Sequence, residues 1–145
     1  MKNNKIKKHK NNKQSMHSNN IVGNPNIADV FIPTSNRYKS LKPCLDSLDQ
    51  QSNKNFNILL VAITKNDKIK NLVNSYKSLN IYYFVQKDKG IINAANQALN
   101  KSTSPIFIRI DDDVILDKDW FKSVISTFKS DNKIGAVTGP TIMSD

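Results

Sequence analysis

Short apolar runs alternate with segments of helical periodicity through most of this 145-residue chain. The runs are rich in Val, Ile, Phe and Tyr and are bounded by polar residues, which is the pattern of buried β-strands. It predicts four strands and a weaker fifth, at residues 28–33, 57–63, 81–86, 105–110 and 134–138. Strands that alternate with helices form parallel sheets with helices on their faces. The predicted fold class is therefore α/β, with an open, mostly parallel sheet and flanking helices.

Each intervening segment carries apolar residues at the spacing of one helix face. In the first segment, Pro43 is tolerated only in the first helical turn, so Ser40 is the expected N-cap. The segment's one cysteine, Cys44, falls on the apolar face and is interpreted as a core residue. The four stripes are Leu41, Cys44, Leu45 and Leu48; Ile69, Leu72, Val73 and Tyr76; Ile91, Ala95 and Leu99; and Phe121, Val124, Ile125 and Phe128, with Asp117 as N-cap of the last.

The positive charge of the chain, formally +10, is concentrated at its start. Residues 1–26 contain six Lys, eight Asn and no acidic residue, which predicts a disordered basic tail before a domain over residues 27–145. The tail is interpreted as solvated, with contact to an anionic membrane surface as the alternative. It lacks the Arg and interleaved aromatic residues of a specific nucleic-acid site.

Hydropathy and cysteine content predict the compartment. The longest apolar run, residues 58–63, is far shorter than the roughly 20 residues that span a bilayer. The start of the chain carries no apolar segment of the kind a signal peptide has, and a single cysteine forms no intrachain disulfide. The expected location is the cytoplasm, with the basic tail as a possible peripheral membrane contact.

Three consecutive carboxylates follow the fourth predicted strand. In extended backbone, Asp111 and Asp113 project to one side and Asp112 to the other. Two carboxylates on one side suit a hard divalent cation that keeps positions open for phosphate oxygens. The alternative is a solvated acidic turn. In open α/β sheets, ligands bind at the carboxyl ends of the strands, which favours the metal interpretation.

Five motifs in order resemble the N-terminal, nucleotide-sugar-binding half of family-2 glycosyltransferases with the Rossmann-like GT-A fold. The resemblance covers about residues 28–140. Its motifs are residues 33–37 after the first strand; Leu41, Leu45, Ser47, Leu48 and Gln51 in the first helix; residues 89–99, similar to a Gly-x-x-x-Ala-x-Asn helix; residues 108–113 with Asp117 and Trp120, similar to an Asp-x-Asp strand end; and residues 135–140.

The resemblance implies an enzyme that transfers a sugar from a nucleoside-diphosphate donor to a glycan, lipid or protein acceptor, with inversion and with a divalent metal. Asp111 and Asp113 would hold Mn²⁺ or Mg²⁺, and Asp112 would face the ribose or the sugar. The nucleotide pocket would be lined by Pro33, Thr34 and Arg37 and supported by Gly90 and Asn96. The structural alternatives are a helix start at Gly90, a backbone brace at Asn96 and a surface cation at Arg37.

Two departures from the family pattern limit that interpretation. Ala62 and Ile63 stand where the family has a pair of acidic residues, the first of which binds the uracil or other base of the nucleotide. Asp67 is the candidate substitute for that first acid. The chain also ends at Asp145, so we expect the domain to be incomplete and the catalytic base to lie beyond that residue. The alternatives are a non-catalytic nucleotide or nucleotide-sugar-binding module, a degenerate remnant, or a phosphatase whose nucleophile is Asp111.

Overall fold

The computed structural model describes residues 26–140 and residue 142. It contains four strands in one sheet, and each pair of neighbouring strands runs parallel in the order β3-β2-β1-β4. The prediction of an α/β fold with an open parallel sheet is confirmed. The strands are β1 (Ala28–Thr34), β2 (Phe56–Ala62), β3 (Asn80–Val85) and β4 (Ile106–Arg109), and the helices are α1 (Tyr38–Asp49), α2 (Asp67–Ser75), α3 (Ile91–Leu99) and α4 (Trp120–Ser130).

The two faces of the sheet form two separate cores. Alternate residues of β1 and β2 point to opposite faces, as strand geometry requires. Val30 and Ile32 join a large core with apolar residues of α1, α2 and α4, whereas Phe31 joins a smaller core with Ala94 and Ala98 of α3. The chain winds outward from β1 to β3 and then returns past β1 to β4. The winding therefore reverses between β1 and β4.

Two predicted N-caps are wrong because the helices begin elsewhere. α1 begins at Tyr38, before Ser40, since the backbone turns immediately after β1 and Leu41 donates to the carbonyl of Arg37 at 2.9 Å. Pro43 consequently lies inside the helix rather than in its first turn. α4 begins at Trp120, so Asp119 rather than Asp117 is at the N-cap position, and the carbonyl of Asp117 accepts from the N–H of Trp120 at 3.0 Å.

The predicted apolar stripe of α3 is wrong at two of its three residues, since only Ala95 packs against the smaller core. Ala94 and Ala98 are buried against the sheet, while Ile91 and Leu99 are half exposed. Both sets have helical spacing, so periodicity alone does not choose between them. Alanine has the smaller side chain, which lets α3 lie close over the buried Phe31 of the central strand.

The weak fifth strand is not formed. Residues 134–138 are irregular and mostly exposed, and within residues 26–140 the sheet has no fifth strand. Gly135 weakens a strand from within, and Pro140, shortly after the run, has no N–H to donate to a neighbouring strand. No helix among the described residues has both the length and the hydropathy to cross a membrane.

Candidate functional site

A cleft of about 330 Å³ lies at the carboxyl ends of the strands, where the winding reverses between β1 and β4. Ligands of open α/β sheets bind at this point of the topology. The cleft brings together seven of the predicted site residues with five that were not among them. The former are Pro33, Thr34, Arg37, Gly90, Asp111, Asp112 and Asp113, and the latter are Ser35, Val61, Ile63, Gln86 and Ile91.

Burial alternates through the acidic triplet. The side chains of Asp111 and Asp113 are 58% and 50% exposed, whereas that of Asp112 is 2% exposed. The alternation was predicted from extended backbone, but β4 ends at Arg109 and the triplet enters a turn. Burial thus alternates without the predicted strand. Since Arg37 contacts both Asp112 and Asp113, the placing of Asp111 and Asp113 together on one side stays a prediction.

Asp112 is satisfied by protein groups. Thr34 donates from Oγ1 to Asp112 at 2.6 Å, and Arg37 forms an ion pair with the same carboxylate. These bonds join the end of β1 to the acidic turn across the floor of the cleft. Asp112 thus fixes the geometry of the triplet, and its interior position differs from the ligand-facing role that the resemblance implies.

Asp111 and Asp113 present oxygen donors at the mouth of the cleft. Arg109 Nη2 lies 3.1 Å from Asp111 Oδ1, and Arg37 Nη2 lies 3.1 Å from Asp113 Oδ2. Within the described residues, no group of three or more His, Cys, Asp or Glu side chains is arranged to hold a metal. Magnesium commonly takes one or two carboxylates and completes its shell with water and substrate phosphates. The two half-exposed carboxylates fit a cation of that kind.

The turn between β1 and α1 is shaped by two side chains. Asn36 has a φ of 65°, a left-handed conformation that asparagine tolerates better than most residues. Its N–H donates to Thr34 Oγ1 at 3.1 Å, and its side-chain amide donates to Thr64 Oγ1 at 2.9 Å. The turn aims Arg37 at the acidic triplet, and the hydrogen bond to Asp112 raises the pKa of Arg37 above its ordinary value.

Cys44 lies directly beneath the triplet in the core. It is completely buried, and its Sγ lies 3.7 Å from the carbonyl oxygen of Asp111. Burial raises the pKa of the Cys44 thiol to about 12, so the thiol stays protonated at neutral pH. The prediction that Cys44 is a core residue is confirmed.

Two buried polar side chains of the first helical segment hold the chain that follows the triplet. Ser47 Oγ accepts from the N–H of Leu116 at 3.1 Å. Gln51 donates to the carbonyl of Asp117 at 2.6 Å and accepts from the N–H of Phe121 at 3.0 Å. These bonds satisfy the backbone of the loop and of the first turn of α4, and they fasten the loop after the acidic turn to α1.

The end of the cleft away from the triplet is apolar and carries one amide. Val61, Ile63 and Ile91 line it, and Gln86 donates from its side chain to the carbonyl of Gly90 at 2.7 Å. Ala62 is fully buried at the end of β2 and offers no side-chain oxygen. The cleft is therefore polar and charged at one end and largely apolar at the other.

Asp67 and Asn96 do not line this cleft. Asp67 is the first residue of α2, and the preceding Asn66 accepts from the N–H of Ile69 at 3.1 Å. The loop before Asp67 is thus used to begin a helix and does not fold back over the cleft. Asn96 is exposed on α3, between the two alanines that face the sheet.

A larger groove of about 730 Å³ lies between α1 and α2, away from the strand ends. Its polar groups are paired with one another: Lys42 and Tyr76 both donate to Asp46 at 2.7 Å. Lys68 stands 4.2 Å over the ring of Tyr38. The smaller cleft is the better candidate site, because it lies at the strand ends where ligands of open α/β sheets bind.

Comparison with known proteins matches this chain to one family. The family model described as Glycosyl transferase family 2 matches residues 29–144. Poly-beta-1,6-N-acetyl-D-glucosamine synthase of Staphylococcus aureus is 33% identical over 84 residues, which is 57% of this chain and 20% of that protein. The chain thus spans about a fifth of the length of the curated relatives it matches.

Two solved structures share the fold. S. aureus TarS 1-349, in complex with UDP, aligns with a TM-score of 0.66 and 22% identity over 81% of this chain and 38% of that chain. The mannosyltransferase PcManGT from Pyrobaculum calidifontis, in complex with GDP-Man and Mn²⁺, aligns with a TM-score of 0.64 and 18% identity over 70% of this chain and 32% of that chain.

Proposed function

The chain belongs to glycosyl transferase family 2, and on that premise we propose that it binds the nucleoside diphosphate of a sugar donor for transfer of the sugar to an acceptor. The observation that carries the proposal is the cleft at the ends of β1 and β4. There Thr34 and Arg37 meet Asp111, Asp112 and Asp113. The UDP and GDP-Man complexes of the two structural neighbours support a nucleotide ligand of this class.

The polarity of the cleft supports one orientation of that ligand. A nucleoside diphosphate has a charged diphosphate and a flat, less polar base. Arg37 and the three carboxylates lie at one end of the cleft, and Ile63 and Ile91 lie at the other. We therefore place the diphosphate beside Arg37 and the base beside the isoleucines.

Asp111 and Asp113 are the residues that would hold Mn²⁺ or Mg²⁺. A bound cation neutralises the negative charge that develops on the departing nucleoside diphosphate. Arg37 contributes positive charge on the same side, and Thr34 and Asp112 hold that arginine and the turn in place. The Mn²⁺ in the PcManGT complex supports this choice of cofactor. Inversion at the sugar and a glycan, lipid or protein acceptor stay predictions from the resemblance.

The domain boundaries also stay predictions. The proposed domain begins at residue 27, two residues before the match to the family model begins. The proposed basic tail, residues 1–26, falls almost wholly outside the described residues. Its contact with a membrane surface and the cytoplasmic location rest on its composition alone.

A binding module without transfer is the second candidate. The observation that favours it is Ala62, which replaces the acid expected at the end of β2 with a buried methyl group. Binding of UDP-N-acetylglucosamine without release of UDP would support this candidate. Release of UDP that depends on Mn²⁺ would support the transferase. The phosphatase alternative is not retained. The nucleophile of such a phosphatase lies on the first strand of its fold, whereas Asp111 follows the fourth strand here.

Titration calorimetry tests the proposed function. UDP and GDP are titrated into the chain with Mn²⁺ and with EDTA. We expect binding of one nucleotide that requires the metal and is lost in the variant Asp111→Asn with Asp113→Asn. The matched control, Asp88→Asn with Asp131→Asn, removes the same charge from exposed positions outside the cleft lining. Equal affinity of the cleft variant and the wild type would contradict the proposal.

A further inference from the structure

Both outer carboxylates of the triplet already have a cationic partner from this chain. Arg109 lies 3.1 Å from Asp111 on one side, and Arg37 lies 3.1 Å from Asp113 on the other. Arg37 and the three carboxylates line the cleft, and Arg109 joins them through its contact with Asp111. A divalent cation that binds Asp111 and Asp113 meets these arginines as competitors.

The two outer ion pairs differ from the inner one in their exposure. Arg37, Arg109, Asp111 and Asp113 are all about half exposed, so their mutual contacts are screened by water and are weak. Asp112 is buried and also accepts from Thr34. Arg109 can thus exchange its contact with Asp111, and Arg37 its contact with Asp113, while the contact between Arg37 and Asp112 is kept and holds the turn in place.

We propose that Arg37 and Arg109 act as positioning residues that neutralise the acidic triplet when no nucleotide is bound and turn to the diphosphate when a divalent cation takes Asp111 and Asp113. This inference rests on the proposed function. Guanidinium groups recognise phosphate oxygens well, because their planar donors match two oxygens at once. The arginines released from the carboxylates therefore gain a new anionic partner in the nucleotide.

The exchange couples the two ligands. A cation that binds alone displaces the two guanidinium groups from their carboxylates, Asp111 and Asp113, and supplies no anions in exchange. The cation therefore binds weakly. The nucleotide supplies those anions, so the cation and the nucleotide each strengthen the binding of the other by the same factor. Removing an arginine should then have opposite effects on the two ligands, and a residue with a merely structural role would not produce that pattern.

Arg109 is the residue to change, because loss of Arg37 would also strip buried Asp112 of its cation and destabilise the fold. Mn²⁺ binding without nucleotide is measured from the electron paramagnetic resonance signal of free Mn²⁺. UDP binding is measured by calorimetry at saturating Mn²⁺. For Arg109→Gln we expect Mn²⁺ to bind about fivefold or more tightly and UDP to bind about fivefold or more weakly, the lower end of ordinary coupling between sites.

Two further variants sharpen the comparison. Lys101→Gln removes one positive charge at the other end of the sheet, beside the start of β4, and should leave both affinities within about twofold of the wild type. Arg109→Lys keeps the charge but not the planar fork, and should restore the weak Mn²⁺ binding without restoring all of the affinity for UDP. Circular dichroism checks that every variant is folded.

The outcomes separate this inference from the proposed function. If the wild type binds no nucleotide with or without Mn²⁺, the proposed function fails and the inference fails with it. If the wild type binds UDP with Mn²⁺ but Arg109→Gln shifts both affinities in the same direction or neither, the inference alone is overturned.

Discussion

Gly90 joins the loop after β3 to α3 with a φ of 109° and a ψ of 150°. This region of backbone conformation is occupied almost entirely by glycine, because a Cβ would clash with the residue's own backbone. Space around the residue is not the constraint, since a Cβ at Gly90 would meet nothing within 4 Å. The carbonyl of Gly90 accepts from Gln86 and from the N–H of Ala94, so its conformation sets both the cleft and the start of the helix.

Gly90→Ala should lower the free energy of unfolding by about 1–3 kcal/mol, the usual cost of a non-glycine residue in such a conformation. The control is Gly135→Ala, at a glycine that likewise has open space and lacks the positive φ. That substitution should stay within about 0.5 kcal/mol of the wild type. Urea denaturation of the two variants measures both values, and equal stability would contradict the conformational argument.

Single residues of the site could be predicted where a polar or charged side chain lies at the end of a predicted strand. Thr34, Arg37 and the acidic triplet have polar or charged side chains at strand ends, and the sequence indicates them. Ile63 and Ile91 line the same cleft without any polar group to mark them. Arg109 was overlooked because it precedes the triplet inside a predicted strand, where its pairing with Asp111 depends on the turn that follows.

At the scale of elements, one buried carboxylate joins β1 to β2 and to the connection between α3 and β4. Asp29 is 1% exposed. It accepts from Asn57 at 2.7 Å, from Ser102 Oγ at 2.8 Å, from the N–H of Thr103 at 2.8 Å, and from both the N–H and the Oγ of Ser104. Burial by itself would raise the pKa of Asp29, but the hydrogen bonds from Asn57, Ser104, Ser102 and Thr103 outweigh it and the pKa is lowered.

A lowered pKa in the folded state contributes stability above the unfolded value, 3.8, and that contribution is lost as the pH falls through the folded value. Unfolding at a series of pH values should therefore show stability declining below about pH 4 in the wild type. Asp29→Asn should be less stable at neutral pH by about 2–3 kcal/mol, because buried donors lose their charged acceptor, and its acid dependence should be weaker.

Asp46→Asn is the control for this pH dependence. Hydrogen bonds from Lys42 and Tyr76 lower the pKa of Asp46 as well, but the side chains of Lys42 and Asp46 are 48% and 38% exposed, whereas Asp29 is 1% exposed. Exposed pairs contribute about 0–1 kcal/mol, so the control should change stability little at any pH. An Asp29→Asn variant as stable as the Asp46→Asn variant at neutral pH would contradict the structural role of Asp29.

Strands and helices followed from the sequence more closely than their ends and faces did. The faces of α1 and α2 were predicted because large apolar residues stand on one side only. The face of α3 was not, because alanines and larger residues form competing stripes and the choice depends on contact with Phe31. The starts of α1 and α4 depend on hydrogen bonds to residues 37 and 117 that the turns create.

At the scale of the whole molecule, the parallel sheet could be predicted and its strand order could not. Alternation of strands and helices fixes parallel pairing, whereas the return of the chain from β3 to the far side of β1 is a property of the tertiary fold. That return is what brings Thr34 within 2.6 Å of Asp112, 78 positions along the chain. The candidate site depends on this reversal more than on any single motif.

The central claim is that a nucleoside diphosphate and its cation bind at the ends of β1 and β4. The most direct test is the amide spectrum of the nitrogen-15-labelled chain with UDP and a small amount of Mn²⁺, which broadens signals near the metal. The account predicts that the signals of residues 111–113 and 34–37 broaden first, because they lie at the metal end of the cleft. Broadening centred on the groove between α1 and α2, or none that depends on UDP, would contradict it.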